Sequence, residues 1–368
     1  MFNYTLNTYE MKRDILNFSN KMSNNLTKPT KKFVMDSLYG IAKSKSCLIS
    51  NIARALKEDV KLKYVIERLC DNYSNLSDDE ISILKNNYYN EVKDLFHDEP
   101  IAIFDDSDIA KRYGKKFEDL DRVIDASSIN KEVVNGYHIC EAVVLGKEQK
   151  QPISLYSEIY SCKSNNFISK NKYTFESIDT VRKVLSRKCN MVFDRGYDDN
   201  EVYEVYVSHT RVTLPYNKKD YELVFVYGLS EERPLILLTN RNIKSKEDVI
   251  KVVRLYFYRW RVEEYFRTKK QEYDFENIRL RTLKSINNLN LMLTIFMGYL
   301  GIKVEKINKN LLTIKIIYAS ESLREKVCMW TGQIARGIGK ILELAHTGIK
   351  EWQHIEERNK YKQLELKL

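Results

Sequence analysis

A chain of 368 residues is long enough for two to three domains of ordinary size. Its 61 Lys+Arg against 51 Asp+Glu give a formal charge of +10 and a pI near 9.0, which favours anionic partners such as nucleic acid. Six cysteines without a CxxC pair argue against a disulfide framework or a zinc ribbon. The most apolar stretch, LNLMLTIFMGYLGI near residue 295, is shorter than the roughly 20 residues that span a bilayer, so a soluble cytoplasmic protein is expected, with no membrane partner.

Residues 1–95 read as helical, because FVMDSLYGIAK, CLISNIARALK and LKYVIERLCDNY carry apolar residues at three-and-four spacing. Three short helices in series suit a DNA-binding bundle, or any small helical domain. Residues 1–50 hold 8 Lys+Arg and 3 Asp+Glu, which makes this segment a candidate DNA-facing surface. From Pro100 the texture becomes β-rich: IAIFDD, YHICEAVVLG and PISLY precede a helical FESIDTVRKVLSRK and another run, NMVFD. Strands interleaved with a helix predict an α/β layer with a partly parallel sheet. Further strands are expected in YEVYVSH, YELVFVYG and PLILLTN, over 200–240. A long helix then opens at a capping box, Ser245 with Asp248, and its pattern runs unbroken to about Tyr273. Residues 280–368 read as helical with a charged tail.

Two apolar runs end in carboxylates, Ile101 to Phe104 before Asp105 and Met191 to Phe193 before Asp194, and ligand groups in open α/β sheets gather at such strand ends. An ordinary turn is the competing explanation for each. On the long helix, at about 100° per residue, Arg259, Glu263, Arg267 and Lys270 all fall within about 60° of Tyr256. That face begins with Val249, Val252 and Val253, so it starts in the core and emerges as a carboxylate ringed by cations. A solvated face tied by i,i+4 pairs is the alternative. Three carboxylates from two strand ends and a helix make a hard-oxygen site suited to two Mg²⁺ or Mn²⁺ ions. Such a pair supports phosphodiester transfer, with the neighbouring Tyr, Arg and Lys on phosphate. None of the five histidines is ligand-spaced with another or with a cysteine, and all five are read as ordinary.

These residues resemble bacterial insertion-sequence transposases of the DDE type, in particular the "IS four" group that includes the Tn-five transposase. The group's hallmark is Tyr, two residues, Arg, three, Glu, six, Lys. YFYRWRVEEYFRTKK supplies Tyr256, Arg259, Glu263 and Lys270 at that spacing, with DRGYDDN around the second aspartate and IAIFDDSDIAK around the first. The resemblance implies a ribonuclease-H-like catalytic core and cut-and-paste transfer, by a homodimer, between terminal inverted repeats and target DNA. By the same resemblance Asp105, Asp194 and Glu263 bind the metal ions while Tyr256, Arg259 and Lys270 contact phosphate; Arg267 is added from helix geometry. Asp106 rivals Asp105, and the family context, with Ser107 two residues on, favours Asp105.

The expected organisation is a helical, DNA-binding 1–95, a first part of the catalytic core over 96–205, a reduced β-rich insertion over 206–240, a second part of the core with the Glu263 helix over 241–300, and a helical, dimer-forming 301–368. A nucleoid-associated location follows from DNA as partner. The 69 residues from Asp194 to Glu263 are few for this group, and VYEVYVSHTRVTLP stands where a further core strand is expected. A decayed or domesticated copy, binding DNA without cutting it, is the second expectation. IARGIGKILELAH carries an apolar face for either a second protomer or the chain's own core.

Overall fold

The computed structural model describes residues 4–125, 128, 130–148, 150–193, 206–214, 217–228, 234–307, 310–320 and 330–349. Five helices occupy the N-terminal part where three were expected: α1 (Tyr4–Met22), α2 (Lys28–Ser44), α3 (Ile49–Leu56), α4 (Leu62–Asn75) and α5 (Asp78–Val92). Their ends follow from local chemistry. Thr27 caps α2 with Pro29 in the first turn, and Ser77 with Glu80 forms a reciprocal capping box on α5. Asp78, Asp79 and Glu80 also place negative charge where the helix dipole favours it.

The central sheet is built from β1 (Ile101–Ala110), β2 (Asp121–Ile124), β3 (Val133–Leu145), β4 (Pro152–Tyr160) and β5 (Asn190–Phe193). β3 pairs antiparallel with β1, β2 and β4, and only β5 runs parallel to β1, reached through the crossover helix α6 (Lys170–Leu185). The four-residue β2 carries no strand signal of its own in the sequence; it exists because Gly136 of β3 lets Asp121 and Ala110 approach from either side. A Cβ at Gly136 would lie 2.3 Å from the Ile109 carbonyl oxygen. Residues Gly136 to Leu145 are buried almost throughout, since helices cover both faces. A second antiparallel sheet, β6 (Tyr206–Leu214), β7 (Asn217–Tyr227) and β8 (Leu235–Thr239), stands apart from the first.

The long helix expected from Ser245 to Tyr273 is instead α7 (Lys246–Phe257), α8 (Trp260–Arg267) and a π-helical turn at Thr268–Glu272. The cap holds, with the Ser245 hydroxyl accepting from Asp248 N at 3.3 Å. At the break, Arg259 N reaches Tyr256 O, Arg261 N reaches Tyr258 O and Val262 N reaches Arg259 O, a three-residue spacing that tightens the turn and swings the axis. Helices α9 (Leu283–Glu305), α10 (Leu311–Ala319) and α11 (Trp330–Glu343) follow. α9 lies on β4 and also carries α2, α4, α5 and α11, so the N-terminal and C-terminal helices share one continuous core with the sheet. The apolar face of α11, including Ile334, Ile338, Ile341 and Leu342, is buried against α1, α2, α9 and α10 within the chain.

Candidate active site

Asp105, expected at the end of a strand, lies instead in the middle of β1, which pairs with β3 as far as Ala110, and alternation along the strand separates it from its rival Asp106. Asp105 lies opposite Glu141 and Asp106 opposite Cys140 on β3, so they face opposite sides of the sheet. Glu141 leads to the helices that follow α8: it is wholly buried and 3.1 Å from Lys269 Nζ. Asp106 points the other way, toward Cys140, His138 and Lys170, the last from α6. Burial raises the Asp106 carboxyl above the usual range, partly offset by Cys140, Lys170 and His138. Asp105 therefore shares its side of the sheet with α8, which packs on β1, and Asp106 shares the side of α6.

The parallel register continues the pattern. Phe104 pairs with Phe193, their rings stacked at 4.8 Å, so the positions just before Asp105 and Asp194 are side by side. Asp194 itself lies outside the described residues.

Along α7 and α8 the expected line of side chains rises from core to surface. Tyr256 is 8% exposed and Arg259 3%, whereas the Glu263 side chain is 37% exposed. The Arg259 guanidinium lies 2.6 Å from Glu263 Oε1, a charge-assisted contact that holds the carboxylate in one orientation from below. Arg267, mostly exposed, pairs with Glu264 rather than Glu263. Lys270 Nζ donates to Asp108 O at 2.7 Å and pairs with Glu276 at 3.2 Å.

One supporting residue was invisible to periodicity. Lys269 is wholly buried and donates to Glu141, Ser157 and Thr294, while Ser154 and Ser157 also donate to Glu141. The π turn is what permits this: more residues per turn lets consecutive side chains diverge less, so Lys269 reaches β3 while Lys270 reaches β1. The buried network thus fixes the end of α8 to the strand beside Asp105.

Where β1 ends, a cleft of about 700 Å³ is lined by Arg112, Lys115, Lys116, Arg279 and Arg281 together with Tyr113, which is 93% exposed. Arg112 is held by Asp125 and Glu132. Lys111 beneath donates to the carbonyls of Glu276 and Ile278, and burial lowers its pKa to about 8. The larger cleft, about 1050 Å³ between α5, β4 and α6, is lined by neither Asp105 nor Glu263. By contrast the basic N-terminal segment directs much of its charge inward. Lys12 and Lys43 donate to carbonyls at the end of α11, while Lys21, Lys32 and Lys45 pair with Glu91, Asp36 and Glu272.

The site is thus a mixed sheet with Asp105 on the face covered by α8, whose Glu263 is paired with Arg259. Residues 167–298 match the family model described as a transposase DDE domain. The match supports a transposase of the DDE type; it takes in the positions of Asp194 and Glu263, while Asp105 lies before it. No curated protein matches the chain. Among the described residues no helix is long and apolar enough to cross a membrane.

Proposed function

We propose that the chain is a DNA transposase that cleaves and joins DNA at the inverted repeats of its own element, with Asp105, Asp194 and Glu263 as the metal-binding triad on a ribonuclease-H-like core. The observation that carries this is the pairing of Phe104 with Phe193, which brings the chain positions before both aspartates together on the strand that α8 covers. Antiparallel β1, β3 and β4, with the short β2 also on β3, followed through α6 by β5 parallel to β1, support the fold assignment.

The donors fit Mg²⁺ or Mn²⁺. Asp105 and Glu263 offer hard carboxylate oxygens, and both are partly exposed, as ions that keep several waters require. Held by Asp105, Asp194 and Glu263, a pair of such ions would supply Lewis-acid stabilisation of the attacking and leaving oxygens. The chain's residues do the rest. Arg259 orients Glu263. Lys270, tied to the β1 backbone, and Arg267 at the surface hold phosphate oxygens, with Tyr256, buried on α7 except for its edge, assigned to the same role. The cleft of Lys115, Lys116, Arg279 and Arg281 neutralises the flanking duplex. Target DNA and a second copy of the chain, bridging two ends, complete the assembly.

The test is incubation of the purified chain and Mn²⁺ with a labelled duplex carrying the element's inverted repeat. Cleavage is expected, and Glu263→Gln should abolish it while leaving end binding largely intact; equal loss of both would remove Glu263 from its role. Salt-sensitive binding without any nicking by the wild type would instead identify a non-catalytic DNA-binding copy.

A further inference from the structure

On the face of the sheet opposite Asp105, three strands or their ends deliver ligand-type side chains to one place. Asp121 opens β2, His138 lies in β3 and Cys162 follows the end of β4; one ligand atom from each lies within 4.8 Å of the others. In sequence the three are far apart, so no ligand spacing announces them.

The orientation of His138 gives the cluster its meaning. Its Nδ1 is 2.8 Å from Asp108 Oδ1, the contact by which a carboxylate fixes a ring's tautomer and aims the other nitrogen. That other nitrogen, Nε2, faces Asp121 Oδ2 at 3.6 Å, beyond a good hydrogen bond. With the ring proton on Nδ1, two lone pairs confront each other across this gap. The Asp121 carboxylate is held from behind, Oδ1 accepting from Arg122 N at 2.7 Å and Oδ2 from Cys162 N at 2.8 Å. The Cys162 thiol reaches the same carboxylate. Cys162 itself is exposed, at a turn just after β4.

We propose that Asp121, His138 and Cys162 bind a thiophilic divalent cation of the zinc class, with solvent in the fourth position. One sulfur, one imidazole nitrogen and one carboxylate oxygen are its usual donors, and a tetrahedral zinc holds such donors about 3.3–3.8 Å apart. The His138–Asp121 separation of 3.6 Å already falls in that range. Asp108 is the carboxylate behind the histidine. The ion ties the start of β2 and the chain just after β4 to the middle of β3, and through Asp108 it steadies the part of β1 whose backbone receives Lys270. This site is separate from the proposed catalytic one and takes a different class of metal.

The test is Co²⁺ titration of the metal-stripped full chain, read by the thiolate-to-cobalt charge-transfer band in the near ultraviolet. A stoichiometric band displaced by Zn²⁺ is expected. Cys162→Ser should abolish it with the circular dichroism unchanged, and Asp108→Asn should weaken binding about 10–100-fold. Glu263→Gln should leave it intact, which separates this proposal from the catalytic one. Absence of a band in the wild type, its survival in Cys162→Ser, or its loss in Glu263→Gln would overturn the assignment.

Discussion

Lys269 and Glu141 are both fully buried, 3.1 Å apart, and neither can be removed alone without stranding the other. Burial lowers the Lys269 pKa while Glu141 opposes that shift. Lys269→Met is expected to cost about 3–5 kcal/mol, and Lys269→Met with Glu141→Leu distinctly less than the sum of the two singles. Urea midpoints check this; additive losses would mean the pair is not coupled. Glu158 on β4 gives the opposite kind of effect. Burial raises its pKa from 4.5 to about 7, with Glu176 adding to the shift and Lys85 and Lys172 opposing it. The folded state then holds a proton that the unfolded chain has released, so between pH 4.5 and about 7 this group's contribution to stability falls as pH rises. Glu158→Gln should therefore stabilise the protein at pH 8, on the order of 1–2 kcal/mol, and leave it nearly unchanged at pH 4. Thermal midpoints at the two pH values decide it.

Among the elements, the crossing of α10 and α11 depends on Gly337. A Cβ there would meet the Ile316 carbonyl oxygen at 2.0 Å, and backbone cannot yield as a flexible side chain does. Gly337→Ala is expected to destabilise by about 1–3 kcal/mol despite its better helix propensity. A denaturant midpoint equal to wild type would sink that account. The α7–α8 break shows what periodicity could and could not convey. The residue spacing located a line of side chains leading from Val249 to Glu263, and burial along it runs in the expected direction. The π turn at Lys269 was not legible, because Lys269 and Lys270 bond to groups on β3 and β1, and the tight turn at Arg259 carries no Pro or Gly to signal it. Likewise strand runs and caps were readable from local composition. The short β2 was not, since its only support is pairing with β3.

Over the whole molecule, the first helices hold the last ones. Lys12 donates to Thr347 O at 2.7 Å, Lys43 to Ala345 O at 3.0 Å and Lys57 to His346 O at 3.1 Å, so three cations meet the carbonyls beyond the C-terminal end of α11. With α1 also burying part of the apolar face of α11, removal of residues 1–27 should expose that part, take away the Lys12 contact and lower the unfolding midpoint markedly. Protease resistance and thermal melts by circular dichroism of the truncated chain check this; a fragment as stable as the full chain would show α1 to be an appendage.

The sequence by itself determined the main helical and strand runs and the order of Tyr256, Arg259, Glu263 and Lys270, because these depend on neighbours within a few turns; it ended β1 too early, since the pairing with β3 that carries the strand past Asp105 to Ala110 is not local. Only the tertiary structure decided which way those groups face. Asp105 and Asp106 are adjacent and chemically equal until β3 and the helices packed on either side give the two faces of β1 different neighbours. The cluster of Asp121, His138 and Cys162, and the buried partner of Lys269, arise in the same way, from strands distant in sequence held at hydrogen-bonding distance by one sheet.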